Sequence, residues 1–386
     1  MNPYYERVGQ ELETNWHTRA PGRRGRSYRC RCERLVFFRN SLCLNCHAQL
    51  GYAPDLREVR SLSPGAQPGE WLLDGTDGSR CYRRCVNFDS AAACNWLLSA
   101  DDPNPHCIAC RITRTIPDQN DSDNRRWWLA LETAKRRMVS QLLALELPVR
   151  AKVGEDPEQG LAFDLLRSPP QGPRVMTGHA GGVITINVEE ADDGKREAAR
   201  VSLREPYRTL LGHFRHEVGH YYWDRLIANT SWIEPYRELF GDERADYCTA
   251  LQTHYENGPP ASWRDAYITS YAACHPWEDW AESWAHYLHV LDSLETALGF
   301  GLSALDIDMD IEPFVRADLW APDHPAADRF LYFANGWAEL TTVLNELCRS
   351  MGQPDIYPFV MSRQALRKVH FIHVVVERSR ETRPDA

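Results

Sequence analysis

The 386-residue chain contains no run of about 18 apolar residues, which excludes a membrane-spanning helix. Nor does an apolar stretch follow its first residues, MNPYYERVGQELETNWHTRA, so no secretory leader is expected and the chain reads as cytoplasmic. Positive charge is not in excess: 44 Lys and Arg against 54 Asp and Glu leave a net charge of −10, which argues against general nucleic-acid binding. Cysteine, by contrast, is plentiful at 12 residues, but it is not spread as in a small disulfide-stapled chain. Nine of the 12 lie between Cys30 and Cys110, several in C-x-C or C-x-x-C pairs, and in a reducing compartment that clustering reads as metal binding. Cys248, Cys274 and Cys348 are scattered and are expected to be small buried side chains.

Before the cysteines, Arg19, Arg23, Arg24, Arg26 and Arg29 make the chain locally basic. Residues 1–27 read as a flexible, solvated arm whose charge offsets nearby thiolates; contact with nucleic acid or an acidic partner is the alternative. Cys30 and Cys32, then Cys43 and Cys46, bracket a short apolar run at residues 35–38. Two knuckles joined by a hairpin make a zinc ribbon, and four thiolates close a tetrahedral shell, so this zinc would be structural. Five further cysteines follow. Cys107 and Cys110 form the clearest knuckle; Cys85 and Cys94 are chosen to complete a second four-cysteine site, leaving Cys81 as a spare. The polar stretch around residues 115–124 marks a boundary, giving a cysteine-rich domain over 28–116 and a second domain over 117–376, with a charged tail from 377 to 386.

The second domain is organised around His216-Glu217-Val218-Gly219-His220. On a helix, residues four apart differ by about 40° around the axis and about 6 Å along it, so both imidazoles leave one face and can close on one ion. Glu217 sits one step round, where it can act as a general base toward water. Leu210, Phe214, Val218, Tyr222 and Leu226 supply an apolar stripe independent of the motif, and Pro206 is suited to a helix start. Upstream, a helix is expected over residues 125–147. A strand over 182–188 has Ile184, Ile186 and Val188 on one face. That strand is either an ordinary core strand or an edge able to bind an extended peptide.

A catalytic zinc needs three protein ligands and one open position. The chain has Leu226 six residues after His220 and Trp223 where a glycine would stand in the extended three-histidine pattern, so the third ligand must come from elsewhere. Glu278 and Glu282 fall four apart in a helix opened by Pro276, among Trp280, Trp284 and Leu288. Either Glu278 binds metal while Glu282 orients a ligand imidazole, or Glu282 binds with His286 in support. Tyr271 is placed to donate to an oxyanion.

At these residues the chain resembles the bacterial family of putative zinc-binding metallo-peptidases. The cysteine pairs and the blocks HFRHEVGHYYWDRL and SYAACHPWEDWAESWAHYLH carry the likeness over roughly residues 28–350. It implies a gluzincin-type peptidase domain, with His216 and His220 as ligands and Glu217 as base. Tyr271, Glu278 and Glu282 are also similar in spacing to the tyrosine, glutamate ligand and second carboxylate of lethal-factor-type gluzincins, which favours Glu278 as the third ligand. The expected protein is therefore α+β: a small cysteine-rich zinc-ribbon domain, then a zincin-like metallopeptidase domain, mainly helical in its C-terminal half. It would hold one catalytic and two structural Zn2+ and cleave a peptide or protein substrate. The competing reading is a zinc-ribbon binding or regulatory protein with a vestigial site, docking a protein or nucleic acid; a third is hydrolysis of a non-peptide amide. C-terminal helices are expected over residues 326–351 and after a Ser362 cap.

Overall fold

The computed structural model describes residues 26–202, 205, 207–302 and 312–381. Arg19, Arg23, Arg24 and Pro206 lie outside the described residues. The described residues begin with a two-stranded hairpin, β1 (Tyr28–Arg29) against β2 (Leu35–Val36), whose strands flank Cys30 and Cys32. A five-stranded antiparallel meander follows: β3 (Leu50–Ala53), β4 (Glu58–Pro64), β5 (Glu70–Leu73), β6 (Tyr82–Arg84) and β7 (Leu97–Ser99). One turn of helix, α1 (Ile108–Arg111), carries Cys110, the last of the nine clustered cysteines.

The strand β8 (Thr113–Thr115) lies on the cysteine-rich side of the expected boundary but pairs in parallel with β9 (Ala162–Leu166) of the second domain. Between them runs α2 (Ser122–Ala144), started by the Asp121 carboxylate, which accepts from the Asp123 and Asn124 amides. The sheet is completed by β10 (Gly178–Ala180) and β11 (Val183–Asn187) in the order β10-β11-β9-β8. Ile184 and Ile186 are buried on one face of β11, as the alternation predicts. That strand is internal, however. The edges are β8 and β10, the latter turned onto β11 through Gly181-Gly182, both at positive φ.

The remaining elements are helical: α3 (Asp193–Ser202), α4 (Leu210–Leu226), α5 (Ile233–Phe240), α6 (Tyr247–Asn257), α7 (Trp263–Ala266), α8 (Pro276–Gly299), α9 (Ala327–Ser350) and α10 (Arg363–Glu381). The motif helix α4 begins at Leu210, later than Pro206 suggested. Thr209 has extended backbone and its hydroxyl accepts from the Gly212 amide at 3.0 Å, so the helix starts there. Ser362 caps α10 as expected, accepting from the Ala365 amide at 3.1 Å, but that helix continues to Glu381, past the expected tail boundary. Cys248 is exposed on α6, a helix with no buried residue, and Cys274 and Cys348 are half-buried; none is the buried side chain expected.

Two helices position the chemistry. The α4 and α8 helices pack antiparallel and come close at Gly219, where a Cβ would lie 3.0 Å from the Ala281 Cα and 3.3 Å from the Trp284 Cβ. The Trp280 indole N–H donates to the Gly219 carbonyl at 2.9 Å, fixing the register of the two helices. Trp280, Trp284 and Leu288 are fully buried behind them, as the apolar stripe predicts.

Beneath α4 lies a buried charge cluster. Asp292 of α8 accepts from Arg137 through both oxygens at 2.8 Å and from Arg215 at 2.7 Å, and it pairs with Arg26 at 3.1 Å. Arg26 is thus not part of a solvated arm; it is 6% exposed and ties the start of the ribbon to α8. Burial pushes the Asp292 carboxyl up, but Arg215, Arg26 and Arg137 overrule it and hold it at about 2. A depressed carboxyl contributes stability above its unfolded pKa, near 4, and loses it as pH falls toward 2. Asp292→Asn should therefore cost roughly 3–5 kcal/mol at pH 7, because three guanidinium groups lose their counter-charge. Urea melts should show the gap to wild type narrowing between pH 4 and pH 2; a gap independent of pH would contradict the assignment.

Candidate active site and metal centres

Three donor atoms from the two helices converge. His216 Nε2 and His220 Nε2 are 3.2 Å apart, and Glu278 Oε2 lies 2.9 Å from the first and 3.6 Å from the second. Ligand atoms about 2.0–2.1 Å from a tetrahedral zinc stand about 3.3 Å from one another, so the spacing fits that ion. Glu278 Oε2 is buried and accepts no well-formed hydrogen bond, as expected of an oxygen shaped for a metal. Burial pushes the Glu278 carboxyl up, but His220 and His216 hold it well below the carboxylate range.

The other atoms of these groups are taken. His216 Nδ1 donates to Glu282 Oε1 at 2.7 Å, which leaves the Nε2 lone pair facing the cluster. Glu282 is thus on the imidazole and not among the converging atoms, while His286, weighed as its support, meets the Tyr357 hydroxyl instead. Tyr247 donates to Glu278 Oε1 at 2.8 Å. No sequence signal marks Tyr247, because it arrives on α6, thirty-one residues away.

Glu217 is 4% exposed. Its Oε1 lies 3.3 Å from His213 Nε2, while its Oε2 has no hydrogen-bond partner among the described residues. His213 Nδ1 in turn meets Glu190. Burial lowers His213, but Glu190 and Glu217 overrule it and lift it to about 10, so the ring is a cation that donates from both nitrogens. Burial raises Glu217, and His213, His216 and His220 pull it back below the usual range, so it is ionised at neutral pH. The sequence reading missed His213; its position three before His216, on the same helix face, was the available signal.

All of these groups line one cleft of ≈ 1150 Å³. The edge strand β10 forms one wall, with Gly178, His179 and Ala180 on it. His179 pins that strand: its Nε2 accepts from the Gly182 amide at 3.1 Å. Tyr271 lies on the opposite side, its ring centroid 6.0 Å from that of His216. Burial and then Glu278 raise its phenol well above the ordinary value, so it keeps its proton.

The cysteines form two more groups. Cys30, Cys32, Cys43 and Cys46 come together, with Cys30–Cys46 sulfurs 3.4 Å apart and Cys32–Cys43 sulfurs 3.7 Å apart. Cys85, Cys94, Cys107 and Cys110 form the other, with Cys94–Cys107 at 3.7 Å; Cys81 is outside it. Sulfurs about 2.3 Å from a tetrahedral zinc lie about 3.8 Å apart. N–H and O–H groups point at these sulfurs, from Asn45 to Cys32, Ser61 to Cys30 and the Cys107 amide to Cys85.

A family model described as putative zinc-binding metallo-peptidase matches residues 124–375, and a zinc-ribbon domain model matches residues 27–121. The chain belongs to this metallo-peptidase family. The chain is 41% identical over 362 residues to uncharacterised proteins of Mycobacterium bovis and of two Mycobacterium tuberculosis strains, covering 93% of this chain and 97% of each relative. No solved structure matches it. The chain combines an N-terminal ribbon region with an α+β domain, helical in its C-terminal half, and among the described residues no helix is long and apolar enough to cross a membrane.

Proposed function

We propose that the chain hydrolyses peptide bonds, with zinc held by His216, His220 and Glu278 and with Glu217 as general base. The observation that carries this reading is the convergence of those three donor atoms beside an ionised carboxylate whose Oε2 is unpartnered. Zinc, when bound, supplies Lewis acidity that polarises water and carbonyl oxygen. Glu217 takes the proton from the attacking water and returns it to the leaving amine. Tyr271, protonated, donates to the oxyanion. Glu282 and Tyr247 are positioning residues: they orient His216 and Glu278. The open edge of β10 suits an extended peptide or protein segment, held by main-chain hydrogen bonds. Each four-cysteine group would hold a structural zinc with no open position, and thiolates in such numbers fit a cytoplasmic chain.

Metal content tests the reading together with cleavage. The full chain should carry about three zinc ions and cleave members of a random peptide library. The His216→Ala/His220→Ala double variant should retain about two and cleave none. Zinc-replete protein that cleaves no peptide, yet binds nucleic acid with a steep salt dependence, would favour the ribbon-centred docking role instead.

A further inference from the structure

The cleft does not end at the carboxylates. It continues along α8 past Glu282 to His286 and His289, one and two turns further on, about 6 and about 10 Å along the axis. Both imidazoles are nearly buried, 4% and 8% exposed. Tyr207 stands edge-on to His289, with centroids 5.4 Å apart, and Phe359 edge-on to His286 at 4.6 Å. Gly212 of α4 forms the facing wall; a Cβ there would sit 3.6 Å from His289 Nε2.

The tautomers of both rings follow from their partners. Arg215 Nη1 lies 2.6 Å from His289 Nδ1, and a guanidinium only donates, so Nδ1 accepts. Burial, with Arg215 and His286 adding to it, holds His289 well below its ordinary value, so the neutral ring carries its proton on Nε2. At His286, Nδ1 meets the Tyr357 hydroxyl. Among the described residues no other acceptor meets that hydroxyl, so the Tyr357 proton points to His286 Nδ1. Burial holds this ring at about 4, so its own proton is again on Nε2. Neither Nε2 has a hydrogen-bond partner among the described residues. Glu282, the nearby acceptor, is already engaged by His216 and Thr269.

We propose that this inner end of the cleft is a side-chain pocket that selects substrates carrying a carboxamide or carboxylate beside the scissile bond, its planar oxygen accepting from His286 Nε2 and His289 Nε2. A buried N–H facing an apolar side chain stays unpaired, which disfavours Met or Leu. A lysine ammonium can only donate and meets two donors, with the Arg215 guanidinium behind them.

The inference rests on the peptidase reading for what is cut but not for what is bound, and two measurements separate them. Wild-type, zinc-replete chain is given a library randomised at two residues on each side of a central bond. Gln or Glu at one flanking position should be cleaved about 10-fold or more better than Met or Leu, with Lys worst. Labelled hexapeptides differing only at that position are then titrated against the Glu217→Gln protein by fluorescence anisotropy. The same 10-fold ranking should appear in Kd, and His286→Leu should flatten it. Gln ahead of Glu, or the reverse, identifies amide or acid; either order supports the pocket. Equal binding of Gln, Glu and Met peptides, or binding of none, overturns it. No cleavage with the binding preference intact sinks the hydrolase reading and leaves the pocket standing.

Discussion

Glu217→Gln should leave the zinc content of the chain unchanged and lower kcat by about 10²–10⁴-fold, the usual contribution of a positioned acid–base group. The amide matches the carboxylate in shape, and the proposed metal donors are His216, His220 and Glu278, so coordination has no reason to change. What is lost is proton transfer. In the wild type Glu217 is held ionised by His213, His216 and His220 against the effect of burial, with one oxygen on His213 and the other free. Single-turnover rates and zinc analysis on the same preparation separate the two effects. Turnover persisting within about 10-fold of wild type would remove Glu217 from the role of base.

The second large effect concerns the cysteines. Cys107→Ser should leave the chain without a cooperative melt, whereas Cys32→Ser should lose a zinc ion and keep the second domain folded. Cys85, Cys94, Cys107 and Cys110 are all buried, in one continuous core with Trp127, Trp128 and Leu131 of α2. Arg136 of α2 donates to the Ala92 carbonyl in the same layer. The α2 helix then reaches α4 and α8, through Gln141 to Arg215 and Arg137 to Asp292. A four-thiolate zinc contributes on the order of 10 kcal/mol to folding, comparable to the whole stability of a domain. In the other group Cys30 and Cys43 reach the same core, but Cys32 and Cys46 are only half-buried, and the hydrogen bonds from α2 to α4 and α8 do not run through them. Near-UV circular dichroism and thermal melts would distinguish the two variants; equal melting temperatures would contradict this difference in role.

Several expectations failed for one physical reason. Arg26 reads as a surface charge because its partners, Asp292 and Glu295, lie more than 260 residues away. The pairing of β8 with β9 is hidden for the same reason, because β9 comes after α2. Cys274 and Cys248 read as core because composition carries no information about which helix stays at the surface.

From the sequence alone came what local geometry dictates. Four-residue spacing puts His216 and His220 on one helix face in any fold, with Glu217 beside them, and C-x-C or C-x-x-C spacing brings two sulfurs to one knuckle whatever surrounds it. The assignment of Glu278 to the histidines and Glu282 to the His216 ring was a different matter, since both carboxylates share a face of α8. The resemblance favoured Glu278, but which carboxylate faces which imidazole nitrogen depends on the packing of α4 on α8 at Gly219, because that contact sets the register between the helices. Tyr247, Glu190, the β10 edge and the two histidines at the inner end of the cleft were likewise beyond sequence. Each meets the site across a loop or a sheet, and such meetings depend on tertiary packing rather than on spacing along the chain.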